Sequence, residues 1–484
     1  MDIIIEENFK DKIKKLENLI QMWSGRPLTL KGKITVIQSV LVSQMIYPCS
    51  ALFVPDWVVN KIHSLFTNFL WSKKKPKVKH RAMIANIEDG GLRLPDFPAK
   101  LKSIKLAWIQ RIFDPCTQAW KECLRVTCKE NINLLVFCST QKKDLPSNIN
   151  KFYLQVFKYW SEFYCRDAKT SSDVYKQILW NNSSICVDDK PVSYKLWMQK
   201  GIYTLSDICN ENGLIMSLDE IGEKYAVHVQ YMAYRSIISA IPAQWKLLIR
   251  NTPNIEFNLD LINGPKIKVG NIVKELSKVK CKEFYWHFVN NISEEPTSKS
   301  KWTEKHNYVF EDNVWKQIYS LPYVITQDTY LQSFHFKIVH RIFACNYNLY
   351  IWGKSDSNLC RLCNNLSVDD IVHYFYGCNF VKPFWRSICN FWSTVYEVKF
   401  PLSEHDIIFG ILNPNGDTTI DSLNYIILLA KYCIFKCKSD DCNLALDILL
   451  GELKAKLEIK QYIMYKNGKN TTFDKIWSPL LDKL

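Results

Sequence analysis

Residues 29–45 read TLKGKITVIQSVLVSQM. Ile34, Ile37, Leu41 and Met45 recur at intervals of three and four, which stacks apolar side chains on one helical face. Thr29 stands just ahead of them, where a hydroxyl can accept from the open N–H groups of a first turn. The stretch predicts an amphipathic helix, and its spacing continues on both sides. Upstream, Ile13, Leu16, Ile20 and Trp23 form a helical face that Gly25–Pro27 stops. Downstream, Pro55 and Asp56 open a helix carrying Val58, Ile62, Leu65, Phe66 and Phe69 up to Trp71. After a basic loop, a Gly90–Gly91 turn, Pro95 and Pro98, a fourth helix is expected over about 99–113. The stretch 34–55 carries no charge, but Thr35, Gln38, Ser39, Ser43 and Gln44 lie within it and Pro48 interrupts it. It predicts a buried helix and turn, not a membrane span.

The rest of the chain agrees with a mainly α, multi-domain fold. Its 484 residues suit two to four domains, each large enough for its own core. Apolar residues make up 47% and aromatics 13%, which excludes general disorder. Only 15 glycines are present, too few for a chain of tight hairpins. Residues 116–310 alternate amphipathic stretches with polar joints, and 294–301 (EEPTSKSK) is the best candidate linker. A helical tail is expected from about Ser422 to Asn467.

The formal charge is +15, and residues 1–100 hold 16 Lys and Arg against 9 Asp and Glu. Concentrated positive charge suits a polyanionic partner, because cations beside phosphates release condensed counterions. Seventeen cysteines are an odd number in a long chain. Residues 1–9, MDIIIEENF, place acids where a secretory signal needs bases. These features predict an intracellular protein, nuclear or cytoplasmic, neither secreted nor transmembrane, with free or metal-bound thiols.

The sharpest chemical signal is Cys360-x2-Cys363-x9-His373-x4-Cys378. Three thiolates and one imidazole are a common tetrahedral set for structural zinc. The first pair can bite the ion from a tight turn. The second must return from another element, a short helix over 371–376 carrying His373, with Gly377 bending the chain towards Cys378. Four ligands leave no open position, so the site is expected to be structural. Cys345 and Cys389 are spare thiols that could replace one ligand. Ser367-Val368-Asp369-Asp370-Ile371 looks like the aspartate pair of a polymerase palm, but lacks both the preceding aromatic and a partner strand. Solvated acids on a loop account for it better, and no catalytic residue is assigned.

Residues 72–81 read SKKKPKVKHR. Lys73, Lys74, Lys75, Lys77, Lys79 and Arg81 are candidate phosphate contacts, kept extended by Pro76; an ordinary solvated loop is the alternative. Arg26, Lys31 and Lys33 flank a helix start, where backbone N–H groups also favour anions, although capping and surface charge explain them as well. Trp23, Trp71, Trp108 and Trp385 punctuate apolar faces and read as core. His335 and His340 read as helix-surface or core residues.

At both ends the chain resembles LINE-type (non-LTR) retrotransposon reverse transcriptases. Trp23-Ser24-Gly25-Arg26-Pro27-Leu28-Thr29-Leu30-Lys31-Gly32-Lys33-Ile34 is similar to that family's W-x-x-R-x-L-S/T-L-x-G-R/K-I signature. The likeness continues through Val40–Tyr47, Phe69-Leu70-Trp71, Gly90-Gly91-Leu92 and Leu94-Pro95-Asp96. Leu331–Trp385 resembles the family's zinc-binding region, and Ile407–Gly410, Ala430-Lys431 and Ile434–Lys438 its weaker tail. The resemblance implies a thumb-like helical domain with a basic loop at 1–115 and a helical connecting region at 116–300. A zinc-binding region at 301–400 and a helical tail at 401–484 follow. It implies a grip on RNA and on RNA/DNA or DNA duplex, zinc as cofactor, and the family's palm, fingers and endonuclease as possible partners.

In that family the polymerising carboxylates would precede this chain's first residue. The expectation is a nucleic-acid-binding segment without polymerase activity of its own. Two other classes compete with it. The chain could belong to a longer active reverse transcriptase and endonuclease, or be a domesticated, zinc-dependent interaction scaffold.

Overall fold

The computed structural model describes the chain except for residues 1, 129–131, 138–144, 146–147, 165–167, 229, 256, 258, 364–366, 398–400 and 441–442. Helices dominate the described residues, and the strands are confined to two short antiparallel ribbons. The mainly α reading is therefore correct.

The opening stretch folds as its spacing requires. The Thr29 hydroxyl accepts from the Gly32 N–H at 3.1 Å, and a helical run follows from Leu30 to Ala51 through a π turn at Ile37–Leu41. Ile34, Ile37, Leu41 and Met45 are all buried. Pro48 does not interrupt this run but lies inside its last segment, Val42–Ala51. Side chains of Phe97–Ile112 satisfy carbonyls at its end: Trp108 Nε1 donates to Ser50 O at 2.8 Å, and Lys105 Nζ donates to Leu52 O. By length and composition alone Leu30–Ala51 could cross a membrane, with a mean hydropathy of 1.3. Burial is confined to one face, that of Ile34, Ile37, Leu41 and Met45, while Gln38, Ser39, Ser43, Ile46 and Tyr47 are exposed.

The chain divides into two compact units. One comprises Met1–Leu16, Val42–His63 and Asp96–Asn291. Here Phe97–Ile112 begins at Asp96, whose carboxylate accepts from the Ala99 N–H at 2.8 Å, with Pro98 in the first turn. It packs on Lys151–Phe163. Gln155 from that second helix brackets Val54, donating to its carbonyl at 2.8 Å and accepting from its N–H at 3.1 Å. The interior around Tyr175, Trp180 and Trp197 is fully buried. Two hairpins lie here, Cys186–Val187 with Lys190–Pro191 and Lys266–Val269 with Ile272–Glu275. Their turns place Asp188, Asp189 and Gly270 at positive φ, the backbone that two-residue loops demand. The Gly270-Asn271 pair between two β-branched runs was the available signal for the second hairpin.

The other unit comprises Glu17–Leu41, Ser64–Pro95 and Ile292–Leu484. Its aromatic core includes Trp302, Trp315, Phe334, Phe375, Trp385 and Phe409. Residues 294–301, expected as a linker, instead run into the helix Ser298–His306, with Trp302 fully buried. Indole burial outweighs the polar composition of the segment. The tail is helical at Thr418–Asp440, Leu446–Lys466 and Asn470–Leu481.

Several short motifs singled out from the sequence prove to be packing devices of this unit. Gly91 passes so close to a neighbouring turn that a Cβ would lie 2.1 Å from Ala85 O. Gly410 adopts φ 93°, and a Cβ there would lie 2.2 Å from Leu321 Cδ2. Beside it, Asn424 ties down both polar groups of Ile411, at 2.7 and 2.9 Å. The fully enclosed Lys431 donates to Ile408 O at 3.0 Å.

Candidate metal centre and basic surface

Two local structures bring the four cysteine and histidine ligands together. The first is a small ribbon in which Leu359 bridges Val368. The Cys360 N–H donates to Ser367 O at 2.8 Å and the Asp369 N–H to Asn358 O at 2.9 Å. Cys360 sits at the end of this ribbon and Cys363 on the turn beyond it. The second is the π turn His373–Gly377, which the Asp370 carboxylate caps by accepting from the His373 N–H at 2.8 Å. The Cys378 N–H closes the turn on His373 O at 2.9 Å.

One ligand atom from each of Cys360, Cys363, His373 and Cys378 falls within 4.8 Å of the other three. Cys378 Sγ lies 3.8 Å from Cys360 Sγ and 3.2 Å from Cys363 Sγ, and all three thiols are free. A tetrahedral site with Zn–S bonds of about 2.3 Å has S–S edges of about 3.8 Å. Buried His373 Nε2 makes no hydrogen bond, although a buried imidazole nitrogen without a partner is costly. Donor set, spacing and orphaned nitrogen are all compatible with zinc. Cys345 and Cys389 stand outside the group.

The surroundings complement an anionic centre. Lys438, from Thr418–Asp440, donates to Tyr374 O at 3.0 Å and covers the Tyr374 ring at 4.0 Å. Its charge acts on Cys363, His373, Cys378 and Asp369. Burial pushes the Cys378 thiol up to about 12. Burial also opposes ionisation of Cys363, but hydrogen bonds from Cys378, the Asn379 N–H and Cys360, with the Lys438 charge, hold it below its usual range. Trp385 Nε1 donates to Phe375 O at 2.7 Å, so side chains take two carbonyls of the π turn.

Two expectations change here. Asp369 is not a solvated loop acid but is 3% exposed, and one of its oxygens accepts from the Asn346 N–H at 3.2 Å. Burial raises its pKa. The carboxylate and carbonyl of Asp369 tie the ribbon to the first turn of the preceding helix, Asn346–Ile351. The bend towards Cys378 does not need glycine at 377. Gly377 is absent from the positive-φ residues, and a Cβ would make an ordinary 3.5 Å contact with His373 Nδ1. The π turn, rather than glycine, makes the bend.

Among the tryptophans expected in the core, Trp385 is buried, whereas Trp23, Trp71 and Trp108 are half-buried. His335 and His340 are buried, and His340 stacks on Phe336 at 3.9 Å.

The candidate phosphate contacts have differing surroundings. Lys33 Nζ donates to Ser72 Oγ at 2.6 Å and to Leu70 O at 3.3 Å, closing the end of the helix Asp56–Leu70. Arg26 lies over Trp23 at 4.3 Å, and Lys31 is half-buried near the Tyr323 ring. Lys79 and Arg81 share the carboxylate of Glu294, at 3.3 and 2.8 Å. Lys73, Lys74 and Lys75 are exposed. Lys77 Nζ stands 3.0 Å from the centre of the Trp352 ring. Neither Glu294 nor Trp352 was identified from the sequence, since no local pattern marks a contact made across hundreds of residues.

No family model matches the chain. A protein of Arabidopsis thaliana, provisionally named a ribonuclease H protein, is 24% identical over 94 residues, which cover 18% of this chain and 15% of that protein. The matched stretch thus spans a small part of the relative's length.

Proposed function

We propose that the chain is the nucleic-acid-gripping, zinc-holding C-terminal part of a LINE-type retrotransposon reverse transcriptase, binding RNA and RNA/DNA or DNA duplex. The observation that carries this reading is the packing of Lys77 on Trp352. It puts the basic loop and the approach to the Cys360 ribbon in one compact unit, although they are far apart in sequence. Zinc pins the ribbon to the π turn, and the unpaired lysines meet phosphate without reading bases. In this role the chain carries no polymerising carboxylates, and Asp369 and Asp370 serve the local fold. The likeness to a protein named for ribonuclease H supports a nucleic-acid-handling lineage.

A second reading makes the chain one portion of a longer reverse transcriptase and endonuclease. It is favoured by the matched relative, of which the 94 aligned residues are only 15%.

Binding of purified protein to homopolymer RNA and to an RNA/DNA duplex, titrated across salt, tests the proposal. Expected is a steep fall of affinity with salt, flattened when Lys73, Lys74, Lys75, Lys77, Lys79 and Arg81 are replaced by Ser. An unchanged slope of log affinity against log salt in that variant overturns it. Negligible affinity for RNA and duplex at moderate salt would favour a protein-interaction scaffold.

A further inference from the structure

The surroundings of Trp352 contain more positive charge than the basic loop alone brings. Its indole is half-exposed and ends the short helix Asn346–Ile351. Lys77 covers the ring, and the charges of Lys337, Lys354 and Lys74 all act on Lys77. These lysines come from three places in the chain: the basic loop, the helix Thr329–Val339, and the turn after Trp352. All four side chains reach solvent, although partial burial among their neighbours lowers the pKa of Lys337 and Lys77, and among the described residues none has a carboxylate partner. Of the acids in the same unit, Glu294 holds Lys79 and Arg81, Asp328 holds Lys456, and the exposed Asp356, two residues after Lys354, forms no ion pair with these lysines among the described residues.

Ammonium groups gathered without a counter-ion repel one another, and the Trp352 ring face offsets this for Lys77 alone. A polyanion would offset it for all four. An aromatic face in the middle of such a cluster adds a second affinity, because every base has a flat π face to lay on it. The face is at present covered by a cation, the other partner that an indole accepts well.

We propose that Lys74, Lys77, Lys337 and Lys354 around Trp352 form a binding site for single-stranded nucleic acid, with a base stacked on the indole and phosphates on the lysines. This rests on the nucleic-acid reading above and adds a strand preference and three residues, Lys337, Trp352 and Lys354, to it. In the unliganded protein Lys77 occupies the ring face. An incoming base displaces it, and the freed ammonium moves to the adjacent phosphate, so the two contacts form together. A base within an intact duplex cannot offer its face to the ring, whereas an unpaired one can.

The test compares wild type, Trp352→Leu and the double variant Lys337→Ser/Lys354→Ser on oligo(U), oligo(dT) and a blunt RNA/DNA duplex of the same length. Trp352→Leu should weaken single-strand binding by roughly tenfold or more and leave duplex binding within about twofold. The double variant removes side chains that reach solvent and keeps the test valid should the indole be needed for folding. Its salt slope on single strands should flatten by about 1.4, at roughly 0.7 per lost phosphate contact. If wild type binds both nucleic acids but neither variant changes single-strand affinity or slope, the site is wrong and the general reading survives. If wild type binds neither nucleic acid, both fail. Binding to vesicles containing phosphatidylserine, with none to oligonucleotides, would overturn the site in favour of an anionic membrane.

Discussion

The amide of Cys378 donates to the carbonyl oxygen of His373, five residues earlier, at 2.9 Å. That is one residue more than an α turn encloses. Two ligands of the proposed zinc site are thereby fixed at the ends of one wide turn.

Among the described residues the turn and the Cys360 ribbon share no backbone–backbone hydrogen bond, so the metal is expected to tie them. Purified protein should carry about one zinc per chain by elemental analysis. Cys363→Ser should lower that content, and a chelator should lower the melting temperature of wild type. Gly377→Ala should keep zinc, because its Cβ has room beside His373 Nδ1. Metal-free protein whose melting ignores the chelator would remove the site.

Two glycines of the quoted motifs predict opposite outcomes. Gly91→Ala drives a Cβ onto Ala85 O, at 2.1 Å, and no side-chain rotation relieves a clash with backbone. A loss of more than about 2 kcal/mol is expected from the urea midpoint. Gly32 lies inside the first turns of a helix, and a Cβ there meets the Thr29 hydroxyl at 3.4 Å. Gly32→Ala should be neutral or should stabilise by up to about 1 kcal/mol. Equal melting of the two variants would contradict the close approach at Gly91.

Such contrasts mark the limit of what the sequence disclosed. Helices such as Leu30–Ala51 and Asp56–Leu70 were legible because their apolar spacing and caps are local. The four candidate metal ligands were legible because their chemistry is written in spacing over fewer than twenty residues, and the fold brings them together. Pro48 misled: the helix continues past it to Ala51, and the carbonyls at that end are taken by Trp108 and Lys105 from another helix, which no local pattern marks. Asp369 misled for a different reason: its partner Asn346 opens a helix more than twenty residues earlier in the chain. Lys438 and Trp352 were invisible, because proximity to the metal centre and to the basic loop arises only on folding.

Lys431 tests whether the tail motif is structural. Its ammonium is fully enclosed, meets Ile408 O, and burial lowers its pKa to about 7. An unfolded lysine stays protonated to about 10.4. The native state therefore binds fewer protons than the unfolded state between those values, and this group's contribution to stability rises with pH across that window. Below about 7 the cost of a buried charge is complete. Its share of the slope should approach about 1.4 kcal/mol per pH unit at most. Lys431→Met should raise stability at pH 7 and flatten the rise towards pH 9. Urea midpoints at the two pH values decide the matter, and an unchanged slope in the variant would show that Lys431 is solvated.

Glu294 sets how much of the basic loop is free to act. Its carboxylate pairs with both Lys79 and Arg81, and these two cations hold it below the usual carboxylate range. Any phosphate that uses either cation must first compete with that pair. Glu294→Gln keeps the size of the side chain and removes its charge, while the Glu294 N–H can still donate to Arg81 O. If Lys79 and Arg81 face the duplex, the variant should bind more tightly at low salt. Its salt dependence should steepen by about 1 to 2, at roughly 0.9 for each additional phosphate contact. If they do not, slope and affinity should match wild type, and the phosphate contacts narrow to Lys73, Lys74, Lys75 and Lys77. Tighter binding without a steeper slope would assign the gain to relief of local repulsion between Glu294 and phosphate, and would leave both cations outside the interface.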